Sequence, residues 1–332
     1  MSGNERIAGF WRWWAGRSDR IAAAIGAGTV PECSDEISAQ VDALHQDLQW
    51  ELAPGRRAQH ALVVTAGGNP ELRPLAERWF RTAPQGDPVW EYRPARAADP
   101  QALRHDLASG PHTLGLDQTE LAIAIDEDRQ LLDVSVHHPL FTDMPEEPRN
   151  RVSYLVLDWL LGEDGVERWV GAIESVVERP DDALPAEALP EIVDGLAERN
   201  PDGKWAMLEG RGEDGSVLLV TARRPLKWID YPLFDQHIGV TLGYTEQHPA
   251  GLPSPEALTW LREAEDELTG ILGDSAVLAA VATVNGQRTF HLYADSQDRT
   301  ARDRASKWTE ATHGARVEVY TDPGWRTVSR FA

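Results

Sequence analysis

Apolar residues near the start of the chain recur at helical spacing. Ile37, Val41, Leu44, Leu48 and Leu52 follow Ser34 at three- and four-residue intervals, which predicts an amphipathic helix with a serine N-cap, and residues 1–52 as a whole read as helices. The period then changes. Ala61 to Ala66 (ALVVTA) predicts a buried strand, Gly67-Gly68-Asn69 a turn, and Pro70 to Thr82 a helix with Leu72, Leu75, Ala76 and Trp79 on one side. Val89 to Arg93 returns as a strand, giving a β-α-β unit. Residues 94–118, rich in Pro, Ala and Gly, read as an insertion with a short helical pattern from Pro100 to Ala108. Glu120 to Asp126 and Leu131 to His137 form an expected hairpin around Glu127-Asp128-Arg129. Glu146 to Leu161 is an expected helix stopped by Gly162, and Val166 to Val177 is expected to be a second helix.

Arg179-Pro180-Asp181-Asp182, with Pro185 and Pro190, marks a linker. The chain is therefore expected to divide into residues 1–180, a linker and helix over 181–200, and a second domain over 201–332. In the second domain a hairpin is expected from Trp205 to Arg223 around Gly212-Glu213-Asp214-Gly215. After it come a strand (Ile238 to Thr245), a helix (Pro255 to Leu272), strands Val277 to Val284 and Gln287 to Tyr293 joined by Asn285-Gly286, a helix (Thr300 to Thr312) and a strand (Arg316 to Thr321). That β-α-β-β-α-β order predicts a ferredoxin-like arrangement. The whole reads as an α+β protein of two domains with antiparallel sheets covered by helices.

Composition narrows the function. The 332 residues carry 32 Lys and Arg against 54 Asp and Glu, a formal charge of −22 that repels phosphate backbones, so no nucleic-acid partner is expected. The single cysteine, Cys33, provides neither an intramolecular disulfide nor a cysteine-based zinc site. The apolar stretch Ile21 to Val30 is too short to span a bilayer and lacks the basic leader and small-residue cleavage site of a signal peptide, so no membrane association and a cytoplasmic location are expected.

Residues from about Lys204 to Phe331 resemble the domain of unknown function 695 family. The resemblance is carried by Trp205, Asn285-Gly286-Gln287-Arg288 with His291 and Tyr293, and the terminal Asp322-Pro323-Gly324-Trp325. Phe10-Trp11-Arg12-Trp13-Trp14 and the strand-turn-helix at Leu62 to Glu71 are similar to the region that precedes the domain in longer members. The resemblance implies no activity, cofactor or catalytic residue. Members that occur beside a domain resembling a regulator of ribonuclease E imply a regulatory setting.

Candidate chemistry is sparse. Gly67, Gly68 and Asn69 link a strand to a helix and could bind an anion on free backbone amides, but they match neither a dinucleotide fingerprint nor a phosphate loop, and a plain tight turn is the simpler account. His137 and His138 with Glu147, and Asp235 with His237, have metal-ligand chemistry. Adjacent strand residues point to opposite faces, however, and two ligands fall short of a site. Cys33 sits beside Glu32 and Asp35, and no Gly-x-Ser-x-Gly elbow occurs. Thirteen tryptophans exceed ordinary usage. Most are expected to fill cores, while Trp11, Trp13 and Trp14, and Lys227, Trp228 and Tyr231 in a proline-bounded loop, are candidates for partner contact. The expectation is an acidic, non-catalytic protein-interaction or regulatory module without a cofactor, its charge steering a basic partner. A metal-assisted hydrolase or a small-molecule or nucleotide sensor are the alternatives.

Overall fold

A computed structural model describes residues 3–199, 204–211, 215–245 and 251–331. The expected turn at Gly212 to Asp214 lies outside the described residues. The architecture is α+β, and the chain divides into two units: residues 1–126 with 131–196, and residues 127–130 with 197–332.

The first unit opens with helices α1 (Gly3–Ala15), α2 (Ser18–Ala27) and α3 (Pro31–Leu44). Their buried residues Ile7, Phe10, Trp14, Ile21, Ile37, Val41 and Leu44 meet Leu62, Val64, Ala76, Trp79 and Trp90 in one core. Those partners lie on strands β1 (Gln49–Pro54), β2 (His60–Thr65) and β3 (Trp90–Arg93) and on helix α4 (Arg73–Arg81). β2 pairs antiparallel with β1 and parallel with β3, the parallel pair being the predicted β-α-β unit. The helix expected to continue to Leu52 ends at Leu44, because His45 turns extended and Leu52 enters β1. Ser34 is not its cap: it lies one turn inside the helix and donates to the Val30 carbonyl.

A hairpin of β4 (Asp106–Ser109) and β5 (His112–Gly115) occupies the insertion. A second sheet follows, built from β6 (Glu120–Asp126), β7 (Leu131–His137), β8 (Val170–Val176) and β9 (Leu184–Pro185) in the order β8-β7-β6-β9. Helix α5 (Glu146–Leu161) buries Val152, Val156, Leu157 and Leu160, and α6 (Glu163–Trp169) and α7 (Leu189–Arg199) complete the unit's helices among the described residues. The helix expected over Val166 to Val177 is therefore half helix and half strand. Val170–Val176 pairs parallel with β7, and Gly171 lets the strands approach where a Cβ would stand 2.5 Å from Asp133 Oδ1.

The second unit holds a six-stranded antiparallel sheet in the order β10-β11-β13-β14-β12-β15. Its strands are β10 (Lys204–Arg211), β11 (Val217–Arg224), β12 (Gln236–Gly243), β13 (Ala276–Val284), β14 (Gln287–Ala294) and β15 (Ala315–Thr321). Helices α8 (Pro255–Leu272) and α9 (Thr300–Ala311) interrupt them, and α10 (Arg326–Ser329) follows. Ser254 caps α8 by accepting from the Ala257 amide, with Pro255 at the first helical position. Asn285 and Gly286 both take positive φ, 47° and 72°, as a two-residue hairpin turn requires. One face of the sheet, carrying Ile238, Val240, Leu242, Val281, Phe290 and Leu292, is covered by Leu261, Leu268, Ala301, Ala305 and Trp308 of α8 and α9. The other face packs Ala222, Ala280, Ala282 and Tyr293 against Trp325, Val328 and Phe331 near the C-terminus and against Leu226, Trp228, Tyr231 and Phe234. No helix among the described residues is long and apolar enough to cross a membrane.

Candidate functional site

Strand register brings histidines together in the second unit. Gly239 lies directly across from His291, and His237 across from Tyr293 on one side and Tyr320 on the other, so all of these share the sheet face away from α8 and α9. Gly239 has no side chain to fill the space in front of His291. A Cβ there would stand 2.9 Å from His237 Cε1, so the His237 ring leans over the glycine and sets its Nε2 3.0 Å from His291 Nδ1. The two rings are 2% and 8% exposed, and burial pushes both imidazoles down to about 4, which leaves them neutral at pH 7. Asp322 pulls His237 weakly the other way, while His237 and Arg330 add to the depression at His291. Among the described residues, His237 Nδ1 is buried without a hydrogen-bond partner.

Beside the pair, Tyr293 donates its hydroxyl to Asp322 Oδ2 at 2.7 Å and stacks on Trp325 with ring centroids 4.2 Å apart. Asp322 also accepts from the Arg326 and Thr327 amides, which anchors α10 over the face. Burial opposes ionisation of Asp322, but these donors outweigh it and hold its carboxyl below the usual range, while burial and Asp322 push the Tyr293 phenol up. Chemically this is a buried cluster of two neutral imidazoles, one ring nitrogen of which is unpartnered among the described residues, and one satisfied carboxylate.

Residues 204–331 match a family of unknown function, DUF695. The DUF695 match takes in the whole six-stranded sheet with α8, α9 and α10, and the N-terminal unit lies outside it. No curated protein and no solved structure matches the chain.

Asp235 and His237 do not form the pair that their spacing suggests: the Asp235 carboxylate accepts from the Ser296 amide and hydroxyl at 2.8 and 2.9 Å, and His237 turns to His291. His291 is a partner that sequence spacing conceals, because it lies 54 residues away; its signals are its place in a strand expected to lie in the same sheet and among the residues that carry the family resemblance. His137 approaches the Val176 carbonyl at 3.4 Å, and His138 is held between the Gly115 carbonyl at 3.0 Å and the Leu140 amide at 3.1 Å. Glu147 is exposed and bridges to Arg151, a turn along its own helix. Among the described residues no three His, Cys, Asp or Glu side chains are grouped to hold a metal ion.

The Gly67-Gly68 turn does bind an anion, and the anion is the protein's own. Glu163 accepts from the Gly68 amide at 2.9 Å, from the Arg96 amide at 3.2 Å and from the Thr65 hydroxyl, whose oxygen also takes the Gly67 amide. Gly162 delivers it: a Cβ there would stand 2.8 Å from the Ala98 amide nitrogen, and its φ of 75° suits glycine. Asn69 accepts from the Glu71 amide and starts the next turn. An external anion at this turn would have to displace Glu163. Nearby Asp158 is pushed up to about 6 by burial and, secondarily, by the charge of Glu163.

The aromatic segments expected to meet a partner are packed inside their own units. Trp14 is 1% exposed and donates its indole N–H to the Tyr92 hydroxyl, Trp11 stacks on Trp79 and donates to its carbonyl, and Trp13 is half-buried against Phe10. In the second unit, Lys227 is 8% exposed and donates to the Gln130 carbonyl, Trp228 packs in the apolar cluster, and Tyr231 stacks between Phe234 and Trp325. The large apolar side chains left in solvent are different ones, Trp205 and Met207 of β10 among them, at 51% and 75% exposure.

Proposed function

We propose that this protein is a non-catalytic interaction module with a regulatory role, and that its docking edge is β10. The supporting observation is one strand. β10 ends the six-stranded sheet, and Trp205 and Met207, two residues apart and so on one face, stand in solvent there. An extended partner segment can add to such an edge through main-chain hydrogen bonds while an exposed tryptophan supplies the anchoring contact. The formal charge of −22 favours a segment carrying basic residues and speeds its arrival at low salt. The buried, neutral state of the histidine pair fits a structural role better than proton transfer. Cys33, buried and unpaired, fits a cytoplasmic setting.

The test is a pull-down with the whole chain at low and high salt, set against Trp205→Ala and Met207→Asp variants whose thermal unfolding matches the parent. Retention of a partner that falls with salt and is lost in both variants supports the reading; retention indifferent to both substitutions sinks it.

A further inference from the structure

A cleft of about 960 Å³ opens in the first unit, lined by Arg56, Arg57, Phe80, Arg81, Trp90, Tyr92 and neighbouring residues of the β1–β2 and α4–β3 connections. Its volume falls within the range of small-ligand sites. The charges around it are unevenly committed. Glu91 is consumed: one of its oxygens takes the Arg56, Arg57 and Ala58 amides, the other takes Arg93, and although burial opposes ionisation these donors hold the carboxyl at about 2. Asp87 is partly engaged, with Oδ1 accepting from the Val89 and Trp90 amides at 2.7 Å. Arg81 shares its charge with Glu77, and the Arg56 guanidinium donates to the Ala98 carbonyl. The Arg57 guanidinium is exposed and, among the described residues, makes no hydrogen bond or ion pair.

Part of the wall is apolar. Phe80 is 38% exposed, among the large apolar side chains the fold leaves in water, and Pro84 and Pro88 line the same hollow. Acids already engaged by internal amides, a cation that is not, and an uncovered ring together select a ligand that is flat and negatively charged.

We propose that this cleft is a binding site for a small organic anion built on a planar ring, the anionic group on Arg57 and the ring against Phe80. The site is independent of β10 and its proposed partner. A carboxylate or a phosphate would satisfy the guanidinium equally, so the two sources are separated by experiment. The strongly acidic surface elsewhere disfavours casual anion binding, and a saturable anion signal therefore reports this cleft.

The test is isothermal titration of the whole chain with adenosine 5′-monophosphate, with benzoate and with inorganic phosphate. Saturable, salt-sensitive binding of either ring-bearing anion, at least tenfold tighter than inorganic phosphate, is the expected result. Binding of the nucleotide alone assigns a phosphate-bearing ligand, of benzoate alone a carboxylate-bearing one, and of both the shared chemistry. Arg57→Ala and Phe80→Ala, both at solvent-accessible side chains, should each weaken that binding at least tenfold with thermal unfolding unchanged. The proposal is overturned if neither ring-bearing anion binds, if inorganic phosphate binds as tightly, or if both variants bind like the parent.

Discussion

His237 Nε2 lies 3.0 Å from His291 Nδ1 even though the residue opposite His291 in the ladder is Gly239. The contact is diagonal, and it exists because a glycine leaves the intervening position open. Folding thus places two imidazoles where neither can readily charge.

That placement sets a pH dependence. The imidazole pKa is about 6.5 in an unfolded chain, and both groups fall to about 4 here through burial. A depressed base contributes its stability in full above the unfolded value and loses it as pH falls through the folded one. By pH 5 one such imidazole should have cost the fold about 2 kcal/mol. Urea unfolding at pH 7 and pH 5 should show this loss, and a His237→Gln, His291→Gln double variant should flatten the difference. An equally steep fall in the double variant would assign the dependence elsewhere.

Glu163 offers a second test. Its carboxylate satisfies the Gly68 and Arg96 amides and the Thr65 hydroxyl while 8% exposed. Glu163→Ala strands these donors and should cost about 2–5 kcal/mol, whereas Glu163→Gln keeps one acceptor oxygen and should cost about half as much. Denaturant midpoints check the ranking, and hydrogen exchange at the Gly68 amide should accelerate in the alanine variant. A midpoint shift below about 0.5 kcal/mol for Glu163→Ala would mean that water replaces the carboxylate.

These particulars show where the sequence was readable. From β12 to β15 the turn chemistry is explicit: Ser254-Pro255 starts α8, Asn285-Gly286 closes the β13–β14 hairpin, and the apolar period switches cleanly between them. The stretch Val166 to Val177 misled because Val166, Val170, Ile173 and Val177 recur at helical spacing. Parallel pairing with β7 and the close approach at Gly171 decide the strand, and both are tertiary facts. The tryptophans of α1, expected to meet a partner, are packed within the first unit from several directions, Trp11 against Trp79 and Trp14 against Trp90 and Tyr92. Glu163 went unnoticed as a site residue because nothing in its neighbours announces that Gly68, 95 residues away, will donate to it.

Asp158 predicts an effect of opposite sign. Burial first, then the charge of Glu163, raise its carboxyl to about 6. A carboxyl raised in the fold stabilises only below its unfolded pKa and turns into a cost as pH climbs through the folded value. Asp158→Asn should therefore stabilise the protein above pH 6, by about 1–2 kcal/mol once solvent screening at this half-buried site is allowed for. The gain should shrink toward zero near pH 4. Urea midpoints at pH 7.5 and pH 4.5 compare the two regimes, and a loss of stability at pH 7.5 would show that the carboxylate is wanted in its charged form.

Arg73 carries the largest expected loss. It lies 5% exposed on α4, donates to Asp164 through Nε and Nη2 at 2.9 and 2.8 Å, and meets Glu77 at 3.0 Å, itself 7% exposed. Removing one partner of a buried pair leaves the other charge without compensation, so Arg73→Ala should cost about 3–5 kcal/mol. Arg73→Lys keeps the charge but not the planar fork that spans Asp164, and should recover only part of that. A double Arg73→Leu, Glu77→Leu variant removes the buried pair and should be more stable than Arg73→Ala alone, because the buried Glu77 carboxylate no longer stands without Arg73, while the more exposed Asp164 loses Arg73 in both variants and the exposed Arg81 can turn to solvent. Chemical denaturation of the three variants gives the order directly. If the double variant is the least stable, the ion pair contributes net stability beyond compensating its own burial.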